Sequence, residues 1–450
     1  MYEILPQDLK LLAEVLPAPI FAVGGFTRNY LIDKTASSDI DIAGSIPTEE
    51  ILSAAEKCGF IKIAEYKRTG TAVIGKDGVK FEYTRFRTDS YFKGEHTPKS
   101  TEFTDDIKKD ASRRDFKCNA VYYDIKNRKF VDPLGGVSDI KNRVLDTVKS
   151  PDEVFCSDGL RLMRLARFSG ELNFRPTARV ISSARSFADN IKDISAERIY
   201  EELKKILVSD TAYPFSDKAG HYTALKILDE TRVLDNIFPE LTLGRGMAQR
   251  KDFHKYDVLE HTLKTVLYAP KTVRLAALLH DAGKPYCMVN YGKFHGHDKA
   301  GKEIAEKILM RLRADKNTVK EVAFLTEFHM LDMNGDVREG KLRKFIAENY
   351  DKIYKLIALK QADFSAGKDY TGVCPTVTKW KGIIGKMKKD GTPFSVKELK
   401  ISAGDLKVSG IEGEDLGKTL KYLWKLAVND PKLNEKGKLF RLAENFARRK

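Results

Sequence analysis

One stretch, residues 23–41, constrains the fold of this chain more than any other. It begins at the end of an apolar run, residues 19–23, which is short enough to form one buried strand. The pair Gly24 and Gly25 interrupts that strand, and the residues after it predict the start of a helix. A glycine turn that leads into a helix N-terminus presents free backbone N–H groups to an anion. The guanidinium of Arg28 on this helix adds a positive charge suited to phosphate oxygens.

The same stretch ends in two aspartates, Asp39 and Asp41, within a run that predicts a second strand. Because residues i and i+2 of a strand point the same way, the two carboxylates share one face while Ile40 and Ile42 pack on the other. Two adjacent carboxylates offer the oxygen ligands that Mg²⁺ prefers. A glycine pair alone more often marks an ordinary turn, and an Asp-x-Asp pair alone a solvated strand edge. Found in this order with Arg28 between them, they favour phosphoryl or nucleotidyl transfer.

The charge balance indicates what kind of partner the chain has. Its 450 residues include 79 Lys and Arg against 64 Asp and Glu, which gives a formal net charge of +15. Such an excess favours a polyanionic partner, and nucleic acid is the first candidate. A merely lysine-rich globular protein is the alternative. The length exceeds one ordinary core and predicts three or four domains or subdomains.

The chain shows no sign of a membrane or secreted protein. Its apolar runs are shorter than the roughly 20 residues of a membrane span, and its first residues lack the layout of a signal peptide. The five cysteines are scattered without a Cys-x-x-Cys pair, which predicts a reducing compartment such as the cytoplasm, without disulfides or a zinc–thiolate site. None of these patterns sets an oligomeric state. The cysteines are Cys58, Cys118, Cys156, Cys287 and Cys374.

Residues 61–110 predict strands followed by a loop. Residues 61–65, 71–74 and 79–87 have the composition of strands, and a hairpin turn joins the last two. Glu82 lies on the last of these strands. It is either a third carboxylate near the metal or an ordinary polar residue of an edge strand. The polar segment that follows, 87–110, predicts a mobile loop.

The second half of the chain concentrates its histidines. The pair His280-Asp281 ends a hydrophobic helix, His261 lies on an earlier helix, and Asp363 lies far downstream. Imidazole and carboxylate ligands drawn from several helices suit a divalent transition metal. A single histidine is more often structural, but six of the eight fall in this block, namely His254, His261, His280, His295, His297 and His329.

Four further motifs accompany the opening stretch. They are ASRRDFKCNAVYY at 111–123, VDPLGGVSDIKNR at 131–143, SDGLRLMRLARFSGELNF at 157–174 and SAERIYEELKKIL at 195–207. In this order they resemble the motifs of the class II nucleotidyltransferases, the family of the CCA-adding enzymes and bacterial poly(A) polymerases. The chain departs from the family pattern at Asn29, where Asp is usual, at Lys117 and Cys118, where Thr and Ile are usual, and at Ser157, where Glu is usual.

The resemblance implies a role for each motif residue. Asp39 and Asp41 would be the catalytic pair that holds Mg²⁺. Asp158 and Arg161 would pair with the Watson–Crick edge of the incoming base, and Asp115 would lie near the ribose. The residues implied to position phosphates are Gly24, Gly25, Arg28, Arg114, Arg164 and Arg167.

The histidine block resembles the HD superfamily of metal-dependent phosphohydrolases. The resemblance implies four metal ligands, His261, His280, Asp281 and Asp363. His297 and His329 would extend the site to a second metal. The implied chemistry is hydrolysis of phosphoesters at RNA ends, and the alternative is an HD fold whose hydrolase activity is weak or lost.

The resemblance also implies an architecture. The expected class is α+β, with a small head at 1–143 whose mixed sheet and helices are DNA polymerase beta-like. An all-α neck at 144–210 would carry the nucleotide-selecting motif, a body at 211–370 would contain the HD domain at about 250–370, and a helical tail at 371–450 would bind tRNA.

The implied activity is template-independent addition of CCA to tRNA 3′ ends from CTP and ATP. An enzyme that adds only A, or a poly(A) polymerase, is the alternative within the class. Two further readings stay open. One is a non-catalytic RNA-binding module, and the other is a principal HD activity with a nucleotide-sensing head.

Overall fold

The computed structural model describes residues 1–34, 40–90, 100–250, 252, 254–408 and 410–448. Asp39, the first aspartate of the predicted metal pair, therefore lies outside the described residues. The chain divides into two compact units. The first comprises Met1–Thr242 with Arg311–Ala314, and the second comprises Leu243–Met310 with Asp315–Lys450.

The first unit is built on a mixed seven-stranded sheet with the order β3-β4-β5-β2-β1-β8-β9. Only the β2–β5 pair in this sheet is parallel, among the strands that the structure describes. Two small two-stranded sheets, β6–β7 and β10–β11, accompany it. The strands are β1 Ile20–Val23, β2 Ile40–Gly44, β3 Ile61–Tyr66, β4 Thr71–Lys76, β5 Val79–Arg85, β6 Arg87–Ser90, β7 Ser100–Phe103, β8 Tyr122–Asp124, β9 Lys129–Val131, β10 Val144–Leu145 and β11 Arg175–Pro176.

Helices alternate with the strands of this sheet, and the later part of the first unit is mainly helical. The described helices of the first unit are α1 Gln7–Val15, α2 Gly25–Asp33, α3 Thr48–Lys57, α4 Ile107–Arg113, α5 Gly136–Asn142, α6 Pro151–Ser157, α7 Leu160–Leu172, α8 Ala178–Ser186, α9 Ala196–Ile206, α10 Gly220–Glu230, α11 Val233–Ile237 and α12 Pro239–Thr242. The predicted α+β class, a mixed-sheet head followed by helices, is confirmed.

Two local patterns explain how the sheet positions polar groups. The β4–β5 hairpin turns at Asp77 and Gly78, which both have positive φ, as a two-residue turn requires. On β2 the side chains alternate as predicted. Ile40 and Ile42 are buried while Asp41 is exposed on the other face.

In the second unit, the described residues form helices joined by loops and turns, and no strand. Its helices are α13 Val258–Tyr268, α14 Arg274–Leu279, α15 Gly283–Tyr291, α16 His297–Arg311, α17 Lys316–Phe328, α18 Glu339–Glu348, α19 Tyr350–Lys368, α20 Pro375–Lys389, α21 Ala403–Val408, α22 Gly413–Asn429 and α23 Lys436–Ala447. Within the described parts of the chain, no helix has the length and apolar character needed to cross a bilayer.

The predicted loop at 87–110 is wrong in part. Strand β6 pairs antiparallel with β7, and helix α4 already begins at Ile107. The hydroxyl of Thr101 on β7 donates to the carboxylate of Asp89 on β6 across the pair. Both strands are polar, so hydrophobic alternation could not reveal them. The remainder of that prediction, 91–99, lies outside the described residues.

The motif at 157–174 is divided between two helices. Helix α6 ends at Ser157 and α7 begins at Leu160. The Asp158 carboxylate accepts a hydrogen bond from the Leu160 N–H at 2.9 Å, so Asp158 lies just before the second helix instead of within it. Ser195 occupies the N-cap position of α9, but its side chain makes no capping hydrogen bond.

Candidate functional site

The predicted nucleotide- and metal-binding residues of the first unit lie around one cavity of about 520 Å³. Its lining contains eight arginines and four aspartates, so its side chains carry a formal net charge of +4. Such a lining suits a polyanion. The ten predicted nucleotide- and metal-binding residues of the head and neck that the structure describes all line this cavity, namely Gly24, Gly25, Arg28, Asp41, Arg114, Asp115, Asp158, Arg161, Arg164 and Arg167.

The glycine turn packs directly against the carboxylate of β2. Gly24 has a φ of 77°, and a Cβ there would lie 3.1 Å from Oδ2 of Asp41. A side chain at this position would be strained and would crowd the carboxylate, which accounts for glycine here. Helix α2 starts at the next residue, Gly25, so its free N–H groups open beside Asp41.

A second carboxylate stands beside Asp41. The parallel β2–β5 register pairs Asp41 with Glu82. Both residues line a second cavity of about 290 Å³, and Asp41 lines the first cavity as well. Burial and the neighbouring charge of Asp41 raise the pKa of Glu82. The geometry therefore favours the alternative in which Glu82 is a third carboxylate near a metal, over a role as a plain edge residue.

Arg28 is a buried cation surrounded by neutral partners. Its Nε and Nη2 donate to Oδ1 of Asn29 at 3.1 and 2.9 Å, and its Nη1 donates to Oδ1 of Asn119 at 2.6 Å. Its Nη2 also donates to the hydroxyl of Tyr213 at 3.0 Å. The family carboxylate at position 29 is thus replaced by an amide oxygen that accepts hydrogen bonds from this guanidinium but does not neutralise it.

Asp115 and Arg164 form a fixed ion pair in the cavity wall. Arg164 contacts Oδ2 of Asp115 through Nε at 2.8 Å and Nη2 at 2.6 Å. The amide of Asn119 and the N–H of Phe116 donate to the other oxygen, Oδ1. Burial alone would raise the pKa of Asp115, but Arg164 and these hydrogen bonds hold that pKa well below its usual value. The carboxylate therefore stays ionised.

Ser157 takes the place of the family glutamate as a partner of Arg161. The Arg161 guanidinium donates to the Ser157 hydroxyl at 3.1 Å and to the backbone oxygens of Arg113 and Val154 at 2.7 and 3.4 Å. Asp158 lies 3.9 Å from Nε of Arg161. Burial raises the pKa of Asp158, and the Arg161 charge opposes that rise. The shorter serine therefore still orients Arg161, without adding a negative charge.

Arg167 is held by carboxylates rather than facing the cavity freely. Its Nε donates to Glu202 at 2.7 Å, and its Nη1 lies 3.3 Å from Glu171. All three side chains are buried. This pairing gives Glu202 a structural role and makes Arg167 a link between α7 and α9.

Replacing Arg167 with methionine is expected to destabilise the first unit by about 3 kcal/mol, because two buried carboxylates lose their cation. Chemical denaturation measures the loss. The matched control is Arg179→Met, which removes a guanidinium that is 57% exposed and paired with Asp146, and should cost no more than about 1 kcal/mol. Adding Glu202→Gln to Arg167→Met should recover part of the loss; an additive further loss would contradict the role of the pair.

The second unit assembles the predicted HD residues into one buried cluster. Nε2 of His261 lies 3.0 Å from Oδ1 of Asp363, and Nε2 of His280 lies 3.1 Å from Oδ2 of Asp281. His329 adds its Nε2 at 3.6 Å from Oδ1 of Asp281. Two groups of three residues could each hold a metal ion, and within each group the potential ligand atoms all lie within 4.8 Å of one another. The groups are His261 with His280 and Asp363, and His280 with Asp281 and His329.

The imidazoles are oriented as metal ligands would be. Nδ1 of His280, His297 and His329 each hydrogen-bonds a backbone oxygen three residues earlier, at 2.6–2.8 Å. With Nδ1 as the donor, Nε2 keeps its lone pair and faces the carboxylates. Lone pairs and carboxylate oxygens this close, and buried, fit a cation between them. The donor set of nitrogen and oxygen therefore fits a divalent transition metal.

Sequence reasoning missed several residues that hold these groups in place. Asn119 connects Arg28 to Asp115, and its signal was its position within the second motif. Lys284 lies 2.7 Å from Asp281 and donates to Gln249, and Lys360 donates to the backbone oxygen of His329. For Lys284 and Lys360, local sequence gives no signal, because their partners are set by helix packing.

Three domain families match this chain in order. The poly(A) polymerase head domain matches residues 20–146, the probable RNA- and SrmB-binding site of polymerase A matches 173–243, and the HD domain matches 257–362. The fold and the two sites thus define a nucleotidyltransferase-type head followed by an RNA-binding region and an HD domain.

Similar proteins agree with this class. An A-adding tRNA nucleotidyltransferase of Deinococcus radiodurans is 32% identical over 58% of this chain and 61% of its own length. A CCA-adding enzyme of Anoxybacillus flavithermus is 32% identical over 49% of this chain and 52% of its own. The chain therefore spans about half to three fifths of these relatives. The resemblance to the poly(A) polymerase and tRNA nucleotidyltransferase family is confirmed.

Solved structures show the same fold over nearly the whole chain. The Bacillus stearothermophilus CCA-adding enzyme in complex with CTP has a TM-score of 0.66 at 20% identity, and covers 98% of this chain and 97% of its own. The Thermotoga maritima CCA-adding enzyme complexed with tRNA has a TM-score of 0.60 at 17% identity, covering 98% and 94%. At these identities the likeness establishes the fold alone.

Proposed function

We propose that the head adds C, C and A to tRNA 3′ ends from CTP and ATP without a template. The observation that carries the proposal is the single cavity in which a glycine turn, the carboxylate of Asp41 and a set of arginines meet the Asp158–Arg161 pair. Relatives named CCA-adding enzyme, and solved structures of such enzymes with CTP, ATP or tRNA, support it.

The triphosphate would lie at the turn. The N–H groups at the start of α2 point to its phosphates, with the charges of Arg28 and Arg114 close by. Arg114 is oriented by Asp110 and by the Tyr122 hydroxyl, at 3.2 and 3.1 Å. Asp115 orients Arg164, and its ionised carboxylate can also accept from a ribose hydroxyl. Arg167, held by two glutamates, contributes by positioning α7.

Base selection would rest on Asp158 and Arg161. A carboxylate accepts from the exocyclic amino group that cytosine and adenine both carry, and a guanidinium donates to the adjacent ring nitrogen. Uracil and guanine instead have a carbonyl oxygen at this position, which cannot donate a hydrogen bond to the carboxylate. The pair therefore accepts C and A and rejects U and G.

The carboxylates would hold divalent metal, and Mg²⁺ is the proposed ion. Asp41 and Asp39 are the proposed ligands, and the register of β2 and β5 adds Glu82 beside them. Such ions lower the pKa of the attacking 3′-OH and neutralise the pyrophosphate leaving group. Oxygen ligands of this kind are those that Mg²⁺ prefers.

The experiment that tests the proposal uses tRNA lacking its CCA end. With CTP alone the tRNA should gain two residues, with ATP alone it should gain none, and with both it should gain three. UTP and GTP are the controls and should give no product. If CTP adds nothing to tRNA lacking CCA, while ATP extends tRNA that already ends in CC, A addition replaces CCA addition. Long tails would indicate a poly(A) polymerase. No product in any mixture would leave an RNA-binding module.

A addition is the second candidate, favoured by the 32% identity to the A-adding enzyme of Deinococcus radiodurans. The same incubation separates the two activities, because only a CCA-adding enzyme extends with CTP alone.

We propose phosphoester hydrolysis at RNA ends as a second activity of the chain, carried by the buried cluster of the second unit. The proposed metal ligands are His261, His280, Asp281 and Asp363, with His297 and His329 available to a second ion. A divalent metal there would activate a water molecule against the phosphoester. The HD domain match over 257–362 supports this assignment.

We propose the domain bounds expected from the sequence, with the head at 1–143, the neck at 144–210, the body at 211–370 and the tail at 371–450. In the tail, lysines and helix N-termini would contact tRNA phosphates rather than bases. We also propose a reducing, cytoplasmic setting, from the scattered spacing of the five cysteines in the sequence.

A further inference from the structure

We infer that Tyr213 is a further nucleotide-binding residue, whose hydroxyl donates a hydrogen bond to a phosphate oxygen of the incoming nucleotide. The inference rests on the proposed function of the head. Tyr213 belongs to none of the sequence motifs, yet it lines the 520 Å³ cavity with them. It lies 185 residues from Arg28 in the chain and contacts that guanidinium directly.

Arg28 and Tyr213 each keep one hydrogen-bond donor that the described protein groups do not use. Arg28 has five N–H donors, and four are used, two on Asn29, one on Asn119 and one on Tyr213. The Tyr213 oxygen accepts, so its own O–H must donate elsewhere. Among the residues that the structure describes, that hydrogen has no acceptor, and the side chain borders the cavity. Because the side chain is only half-buried and borders the cavity, the hydroxyl can donate to water in the free protein and to a ligand oxygen that replaces this water.

The position of the hydroxyl points to the phosphates rather than to the base. The Nη2 of Arg28 that donates to Tyr213 lies 3.6 Å from the place a Cβ of Gly25 would occupy. Gly25 is the first residue of α2, where an anion binds best. Both Arg28 and Tyr213 therefore adjoin the anion-binding turn.

The surroundings also make this hydroxyl a strong and rigid donor. Arg28 has only neutral partners among the described residues, so its charge polarises the phenol and favours donation to an anion. The ring of Phe215 stacks on the Tyr213 ring, with centroids 5.1 Å apart and planes 12° apart. The Arg28 guanidinium lies 5.6 Å from the ring centre. A donor fixed before binding loses little entropy when the ligand arrives.

The test is Tyr213→Phe, which keeps the ring and removes the hydroxyl. Binding of magnesium tripolyphosphate and of magnesium ATP, measured by calorimetry on the full chain, should weaken about tenfold for both ligands, the value of a hydrogen bond to a charged group. The KM for CTP and ATP should rise alike while kcat stays close to that of the parent. The control is Tyr66→Phe, an exposed tyrosine of β3 outside the cavity, which should change neither value.

Unchanged tripolyphosphate affinity in Tyr213→Phe would overturn the inference, as would a loss seen with ATP but not with tripolyphosphate. A lowered melting temperature with unchanged affinity would assign Tyr213 a structural role and would also overturn it. If the parent chain binds tripolyphosphate but extends no tRNA, the proposed function fails while the tyrosine contact stands, so the two failures are distinguishable.

Discussion

Replacing Asp41 with asparagine should abolish incorporation of both CTP and ATP, with a loss of about a thousandfold or more in kcat. The amide has nearly the shape of the carboxylate, so the packing of Gly24 against it is kept. What is lost is a negative charge in the proposed metal site, and metal ions there supply several kcal/mol of transition-state stabilisation. Asp39→Ala is expected to have the same result.

Single-turnover extension of tRNA lacking CCA, with each nucleotide in turn, measures this loss. The control is Asp77→Asn in the β4–β5 hairpin, which changes the same charge on the same sheet at a turn where asparagine is well tolerated. Its activity should match that of the parent. Turnover near that of the parent in Asp41→Asn would refute the catalytic assignment, and loss for one nucleotide only would move Asp41 from catalysis to base selection.

The head could be predicted closely because its chemistry lies in short contiguous motifs. Strand alternation determines the face of the sheet on which Asp41 lies, and the positive φ at the turn explains why position 24 is a glycine. These rules act over a few residues and do not depend on the rest of the fold. The polar strands β6 and β7 lacked any such signal, because strand prediction relies on alternating apolar residues.

Partners that are distant in sequence could not be predicted. The contacts of Arg28 with Tyr213, and of Arg167 with Glu202, span 185 and 35 residues and depend on how helices pack. The arginines of α7 recur every third residue, but their partners in the fold separate them. Arg164 pairs with Asp115 in the cavity wall, whereas Arg167 is buried between glutamates.

The histidine cluster shows the same division. Its existence could be predicted from the density of histidines, and the pairing of His261 with Asp363 across 102 residues came from resemblance alone. Physical pattern could not supply that contact, because α13 and α19 meet only in the folded unit.

Replacing His280 with alanine should remove bound metal from the second unit and any phosphohydrolase activity, while nucleotide addition stays within about twofold of the parent. His280 belongs to both sets of potential ligands, and its Nε2 lies 3.1 Å from Asp281 and 3.7 Å from Asp363. Losing even an outer partner of a metal ligand costs tenfold to a hundredfold in affinity, and losing a ligand should cost more. Metal content by mass spectrometry and phosphate release from RNA with 2′,3′-cyclic or 2′-phosphate ends measure the two losses.

The control for this variant is His295→Ala, an exposed histidine of the same unit, which should retain both the metal and the hydrolysis. Retained metal and hydrolysis in His280→Ala would remove this residue from the site. Loss of nucleotide addition together with hydrolysis would show that the two activities depend on each other. Separate losses, with Asp41→Asn sparing hydrolysis and His280→Ala sparing addition, would establish two independent chemistries on one chain, because each set of proposed metal ligands would then serve its own substrate.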